Sequence, residues 1–194
     1  MKETEFWGLI DKNQFEEKID KISLELGEPE QRKRLSIEVS DWADKTLDTR
    51  IRITDGKAEL MQKKGNWEAD TKKEIRIDLK ADAAEILNLY EILFNLTNGD
   101  EQRTNVIQFE NYIWETDLYE LKLSHQTGKS DKYNFELELK EENLDYSKVL
   151  KKFGLHPYEG ERGIAFWDKW NRELNLDARD MTEDELKVLI KSYL

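Results

Sequence analysis

Charge recurs at every second residue in four short stretches of the chain: Glu3-Thr4-Glu5, Thr49-Arg50-Ile51-Arg52-Ile53, Lys72-Lys73-Glu74-Ile75-Arg76-Ile77-Asp78 and Phe135-Glu136-Leu137-Glu138-Leu139. A period of two belongs to the β-strand, whose pleat turns alternate side chains to one face. Each stretch is therefore a strand with one charged side. Burying Glu-x-Glu and Arg-x-Arg in an ordinary core is expensive. A sheet enclosing a wet, polar cavity accommodates both, with cations and anions arranged around a ligand.

The totals narrow the classes. A chain of 194 residues fits one generous domain or at most two small ones. With 38% hydrophobic and 10% aromatic residues it can build a core, although 38% are charged. A net charge of −12 argues against a general DNA or RNA binder, which would present a basic excess or stripe. There are no cysteines, so disulfides and thiolate metal sites are excluded and the reducing cytoplasm is the expected compartment. No window approaches the roughly 18 apolar residues of a membrane span, and the N-terminus lacks the apolar run of a signal peptide. Only His125 and His156 are available as imidazole ligands, so any metal would be held mainly by carboxylates, which suits Mg²⁺ or Mn²⁺.

Along the chain, the periodicity predicts a strand over 3–9 and a helix from Asp11 to Glu25 with Phe15, Ile19, Ile22 and Leu26 on one stripe. Strands follow at 35–40 and 49–54, and Asp55-Gly56 predicts a hairpin into 57–64. After a loop at Asn66–Asp70 come a strand near 73–79 and a helix from Asp82 to Leu96. Strands near 105–114, 118–125 and 133–140 precede a helix at about 144–153, an aromatic helix over 164–173 and a last helix from about 183 with a Thr182/Glu185 capping box. Meandering strands between few helices predict an α+β fold: one antiparallel eight-stranded sheet curled toward a β-barrel with flanking helices. Residues 1–194 are read as one domain, with 156–194 a helical extension packed on the barrel.

Taken in order, Glu3-Thr4-Glu5-Phe6-Trp7, Arg50-Ile51-Arg52, Leu60-Met61-Gln62-Lys63, Lys72-Lys73-Glu74-Ile75-Arg76, Asn105 to Tyr112 and Phe135-Glu136-Leu137-Glu138 resemble the motif series of the CYTH superfamily, the triphosphate tunnel enzymes, across about residues 1–155. The resemblance implies an eight-stranded tunnel in which Arg50, Arg52, Lys63, Lys72 and Arg76 bind a triphosphate. Glu3, Glu5, Glu136 and Glu138 would hold Mg²⁺ or Mn²⁺, with Glu74 and Glu110 as catalytic or supporting groups. Family members hydrolyse inorganic triphosphate, thiamine triphosphate or nucleotide and RNA 5′-triphosphates, and one branch cyclises ATP. The chain departs from the pattern at four places: Trp7 replaces a Lys, Gln108 and Glu110 stand at a Lys-x-Arg pair, Arg76 replaces a Glu and Lys72 an Arg.

The residues carry their own chemistry. Paired guanidiniums at Arg50 and Arg52 suit the forked acceptors of a polyphosphate, but an amphipathic strand with its Arg face in solvent has the same pattern. Lys63 shares a face with Glu59 and Met61 and is the better phosphate candidate; Lys64 falls opposite. The four glutamates repel and raise one another's pKa unless a cation lies between them; the alternative is a surface acidic face. Lys72, Glu74, Arg76 and Asp78 also read as a self-compensating ion-pair ladder. Trp7 reads as a core residue or as a ring that stacks on a base. Three functions stay open: metal-dependent hydrolysis of a triphosphate-containing small molecule, capture of a nucleotide or polyphosphate without turnover, or a purely structural or protein-binding role that uses the acidic exterior and the aromatic tail, in each case by a monomer or homodimer.

Overall fold

The computed structural model describes residues 4–41, 46–65, 73–97, 102–141, 144–158, 169–170 and 172–194. Its elements run β1 (Thr4–Ile10), α1 (Lys12–Leu26), β2 (Glu30–Asp41), β3 (Leu47–Thr54), β4 (Lys57–Lys64), β5 (Lys73–Leu79), α2 (Ala83–Leu96), β6 (Gln102–Glu115), β7 (Tyr119–Thr127), β8 (Lys132–Leu139), α3 (Tyr146–Phe153), β9 (Leu176–Asp177) and α4 (Glu183–Lys191). Residues 169–170 and 172–174 are also helical, inside the span expected for the aromatic helix. Glu3, Lys72, the Asn66–Asp70 loop, Asn98, Gly99, Phe166 and Trp167 lie outside the described residues.

The chain forms two compact units, Met1–Arg32 with Phe109–Leu174, and Lys33–Gln108 with Asn175–Leu194. Hydrogen bonds order the strands β1-β8-β7-β6 in the first and β6-β2-β3-β4-β5 in the second, where β9 also joins β6. The expected α+β architecture of eight long antiparallel strands with flanking helices is therefore present. β1 ends the order in one unit and β5 in the other, so no ladder among the described residues closes the barrel. The C-terminal segment divides: residues up to Leu174 belong to the first unit and Asn175–Leu194 to the second.

Local chemistry explains the boundaries. Asp11 caps α1 in a reciprocal box: its carboxylate accepts from the Gln14 backbone N–H at 2.8 Å, and the Gln14 side chain accepts from the Asp11 N–H at 3.0 Å. Gly27, with φ 87°, ends that helix in a backbone conformation that favours glycine. Asp55 (φ 48°) and Gly56 (φ 81°) make the left-handed pair of a two-residue hairpin between β3 and β4. Thr182 and Glu185 form the anticipated capping box of α4.

Each unit has its own core on one side of its strands. In the first, Leu121, Leu123, Phe135 and Leu137 pack with Phe15 and Ile22 of α1 and Val149, Leu150 and Phe153 of α3. In the second, Leu35, Ile37, Val39, Ile51 and Ile53 pack with Ile86, Leu87 and Tyr90 of α2 and Leu186 and Ile190 of α4. The apolar members of β2, β3, β7 and β8 are thus buried under helices, while Ile75 and Ile77 of β5 are exposed. The charged members face the other way.

Two details of the first unit support these packings. Lys18 is buried in the apolar stripe of α1, and its ammonium donates to the carbonyls of Phe153 and Gly154, both at 3.0 Å, at the C-terminus of α3. It satisfies orphan carbonyls and places positive charge at the negative end of the helix. Gly8 in β1 has no room for a side chain: a Cβ there would meet the His156 carbonyl oxygen at 2.5 Å and Phe135 Cε1 at 2.6 Å. Lys18→Met is expected to lose about 1–3 kcal/mol in urea denaturation, while Lys21→Met, on the exposed side of α1, changes stability by less than about 0.5 kcal/mol. Gly8→Ala is expected to cost about 1–3 kcal/mol by overpacking; an unchanged midpoint would show that the 156 segment does not lie over β1 in solution.

Candidate functional site

In the second unit the charged positions fall on one face in register. Glu38 of β2 lies opposite Arg50 of β3, and Ser36 opposite Arg52. Across β3 and β4, Asp48 meets Lys63, Arg50 meets Met61 and Arg52 meets Glu59. Across β4 and β5, Lys63 meets Glu74, Met61 meets Arg76 and Glu59 meets Asp78. Arg50, Arg52, Lys63, Glu74 and Arg76 thus lie on one sheet face, as alternation required. Lys64 is on the other.

Most of these charges are already met. Arg50 makes a forked pair with Asp48, its Nε at 2.9 Å from Oδ1 and its Nη2 bound to Oδ2. Burial works against both charges, but each holds the other: Asp48 stays below the usual carboxylate range and Arg50 above its ordinary value. Glu38 is 6% exposed, accepts from Ser40 at 3.1 Å and Asn105 at 3.3 Å, and faces Arg50. Burial pushes its pKa up against the pull of Arg50. Glu74 binds both Lys63, at 3.4 Å, and Arg76. Although burial favours its neutral form, the Arg76 hydrogen bond and the Lys63 charge hold it below the usual range. The ion-pair ladder foreseen for this strand is present at Glu74 and Arg76.

Arg52 is different. Its Nη1 is 3.4 Å from Glu59, yet its Nε is buried without a hydrogen-bond partner. Burial and the charges of Arg34, Arg50 and Arg76 push its pKa down to about 10, with Glu59 opposing them. A guanidinium whose charge is disfavoured by three others, and which has an orphaned buried donor, is a place for an anion.

The first unit also carries polar side chains opposite its core. Glu5 lies opposite Glu138, and Trp7 opposite Glu136; Glu138 lies opposite Glu120, and Glu136 opposite Lys122. Lys122, only 15% exposed in its side chain, binds Glu136 at 2.5 Å. This lysine sits in the acidic row and was not singled out from sequence; its Glu-Leu-Lys-Leu setting reads as any amphipathic strand. The ring of Trp7 lies 5.2 Å from that of Tyr158, tilted by 48°, and its carbonyl accepts from the Tyr158 N–H at 2.9 Å.

Gln108 and Glu110 fall on the other phase of β6. Gln108 accepts from Tyr193 at 3.3 Å, on the helix side of the second unit. Glu110 lies 3.6 Å from His125, whose ring stacks on Tyr133 at 4.6 Å, on the helix side of the first. Glu110 therefore does not share a face with Glu136 and Glu138. Tyr112 and Trp114 pack: Tyr112 meets Phe15 edge-on at 5.6 Å, and the Trp114 indole donates to the Gly27 carbonyl at 2.9 Å. The positions of β6 on the polar faces are instead Asn105, bound to Glu38, and Asn111, which accepts from Ser124 at 2.7 Å.

Of the carboxylates that the sequence pattern offers to a divalent cation, Glu5 and Glu138 lie opposite each other and Glu136 is tied to Lys122. Among the described residues no three His, Cys, Asp or Glu side chains converge as a metal cage. Mg²⁺ does not require one, because it takes one or two carboxylates and completes its shell with water and phosphate oxygens.

No family model and no curated protein sequence matches the chain. Solved structures do. A candidate adenylate cyclase from Bacillus halodurans superposes with a TM-score of 0.60 at 17% identity, over 86% of this chain and 99% of that one. The PH1012 protein of Pyrococcus horikoshii gives 0.56 at 14% identity, over 79% and 91%. A candidate adenylyl cyclase from Hippeastrum, described as having a dominant triphosphatase activity, gives 0.56 at 15% identity, over 87% and 96%. No helix among the described residues is long and apolar enough to cross a membrane. These likenesses establish the fold, and the fold is CYTH-like.

Proposed function

We propose that this protein binds and hydrolyses a triphosphate-containing small molecule in a divalent-metal-dependent reaction, in the cytoplasm. The observation that carries the reading is the buried, partnerless Nε of Arg52 among the charges of Arg34, Arg50 and Arg76. A polyphosphate oxygen would satisfy that donor and relieve the mutual repulsion of the guanidiniums. The triphosphatase activity of the Hippeastrum protein, which shares the fold, supports the same ligand class.

Within the second unit, Arg52 is the central phosphate ligand. Lys63 and Arg76, which share Glu74, are able to exchange that carboxylate for phosphate oxygens as the ligand arrives. Lys72 belongs to this set by the sequence pattern. Glu3, Glu5, Glu136 and Glu138 belong to the metal-binding set by the sequence pattern, with Glu136 tied to Lys122. The bound Mg²⁺ or Mn²⁺ supplies a Lewis acid that polarises phosphoryl oxygens and orients water. The cationic side chains act by neutralising charge and fixing the chain of phosphates.

A second reading is favoured by the pairings themselves. Arg50, Arg52, Lys63 and Arg76 each meet a carboxylate, Lys122 neutralises Glu136, and Trp7 stands where the family has a lysine. These features suit a protein that captures a nucleotide or polyphosphate without turning it over.

Thermal unfolding with inorganic triphosphate, ATP and thiamine triphosphate, each with and without Mg²⁺ or Mn²⁺, separates the readings when followed by phosphate release. A ligand at about 100 times its Kd stabilises by about 2.7 kcal/mol, a shift of several degrees for a chain of this size. The expected result is a metal-dependent shift with release, and loss of at least about tenfold in rate for Arg52→Gln. A shift without release selects the binding module. No shift with any of the three overturns both.

A further inference from the structure

Among the described residues, β5 pairs with β4 on one side and with no strand on the other. It alternates strictly between charged and apolar side chains from Glu74 to Leu79 and has no proline. Its ladder with β4 runs without a bulge. The backbone devices that blunt natural sheet edges are therefore missing. Its apolar side is uncovered as well: Ile75 is 46% exposed and Ile77 56%. Leu60, opposite Ile77 on β4, and Leu79 of β5 itself pack against the core under α2 and α4. An isoleucine pair at the rim of a core, beside an open row of backbone donors and acceptors, is a template for one more strand.

The charged side selects which strand that is. Glu74, Arg76 and Asp78 alternate in sign along one face, and Lys80 continues the alternation past the end of β5. Two copies of β5 laid antiparallel about a two-fold axis place one residue opposite itself, and that residue fixes every other pairing. Three registers keep most of the strand paired. With Arg76 on the axis, Arg76 meets Arg76 and Glu74 meets Asp78, so like charges stand opposite throughout, which is destabilising. With Ile75 on the axis, Glu74 meets Arg76, but on the other face Lys73 falls against Ile77. With Ile77 on the axis, Arg76 meets Asp78 on both sides of the axis and Glu74 meets Lys80, while Ile77 meets Ile77 and Ile75 meets Leu79. Of the three, the Ile77 register alone matches on both faces. Asp78 gives a separate reason. It stands opposite Glu59, acid against acid, and makes no ion pair among the described residues. Arg76, already bound to Glu74, can also accept this second carboxylate, because a guanidinium donates from more than one edge.

We propose that β5 is a self-association edge: two copies of this chain join antiparallel about Ile77, extending the second unit's sheet across a two-fold axis into the other copy. Backbone pairing supplies the attraction and the Arg76–Asp78 contacts fix the register. Ile75, Ile77 and Leu79 of both copies close into one apolar strip continuous with the two cores. An axis normal to a sheet preserves its faces, so the polar faces of both copies lie on the same side. A strand edge is a small interface, and the dimer it makes is reversible rather than obligate. The pairing does not depend on which ligand the polar face takes.

Sedimentation equilibrium of the full chain over the micromolar range tests the association, and single cysteines introduced into this cysteine-free sequence test the register. The wild type is expected to show a reversible monomer–dimer equilibrium. Ile77→Lys, at an exposed position, is expected to weaken it at least about tenfold. Asp78→Lys turns both Arg76 contacts into like-charge contacts but gives Glu59 an opposite charge within its own chain. It is expected to weaken association by a similar factor, with the melting temperature of the dilute protein unchanged or higher. With copper phenanthroline as oxidant, Ile77→Cys places two thiols opposite each other and is expected to give a disulfide-linked dimer; Ile75→Cys, whose opposite number is Leu79, is not. A wild type that stays monomeric at every concentration overturns the proposal, and so does a dimer that survives Ile77→Lys. Cross-linking through Ile75→Cys as strong as through Ile77→Cys overturns it too. If Ile77→Lys does not fold, Asp78→Lys and the two cysteine variants decide alone.

Discussion

A sheet face that carries charge at every second residue can be buried only where its charges are paired or hydrogen-bonded. In the second unit that condition sets the register. Arg50 with Asp48 and Glu38, Arg52 with Glu59, and Lys63 with Glu74 are cross-strand or same-strand neighbours on one face. A slip of one residue in any ladder would turn Ile51 and Ile53 to the polar side and these ions into the apolar core under α2 and α4. Hydrophobic burial and ion pairing thus select the same register. Neither alone would keep a buried Glu38 in place.

The pairings also carry a cost that bears on function. A buried ion pair roughly balances desolvation against attraction, whereas one partner left alone loses heavily. The Asp48–Arg50–Glu38 group is of the first kind: its members satisfy one another, with Ser40 and Asn105 taking part. Arg52 approaches the second kind, with one distant acid and an orphaned Nε. Strain of this sort is tolerated where something external relieves it.

Much of this was legible in the sequence. The strong alternations at 49–54, 57–64, 73–79 and 133–140 became strands β3, β4, β5 and β8, and the caps at Asp11 and Thr182 and the Asp55-Gly56 turn formed as their chemistry requires. The phase of β6 was not legible. Val106 and Ile107 are both buried there, so the stretch lacks a clean period of two, and Gln108 and Glu110 aligned with a motif whose side chains lie on the other face. Lys122, Glu38 and Arg34 were missed for a different reason. Each sits in a run with ordinary amphipathic alternation, and its significance lies in what stands opposite it, which only the register reveals.

The two residues of the Arg-x-Arg motif illustrate what a local pattern cannot convey. They have the same side chain, lie on the same face of the same strand and are flanked by isoleucines. Their neighbours on β2 and β4 differ: Arg50 has Glu38 and Met61, and Arg52 has Ser36 and Glu59. Asp48 completes the neutralisation of the first, while the nearby charge of Arg34 adds to the excess at the second. One guanidinium is thereby built into an ion-pair network, and the other keeps a buried Nε without a hydrogen-bond partner. A chain in which both were neutralised would have a stable polar face and no reason to bind phosphate; one in which neither was would have difficulty burying the face at all.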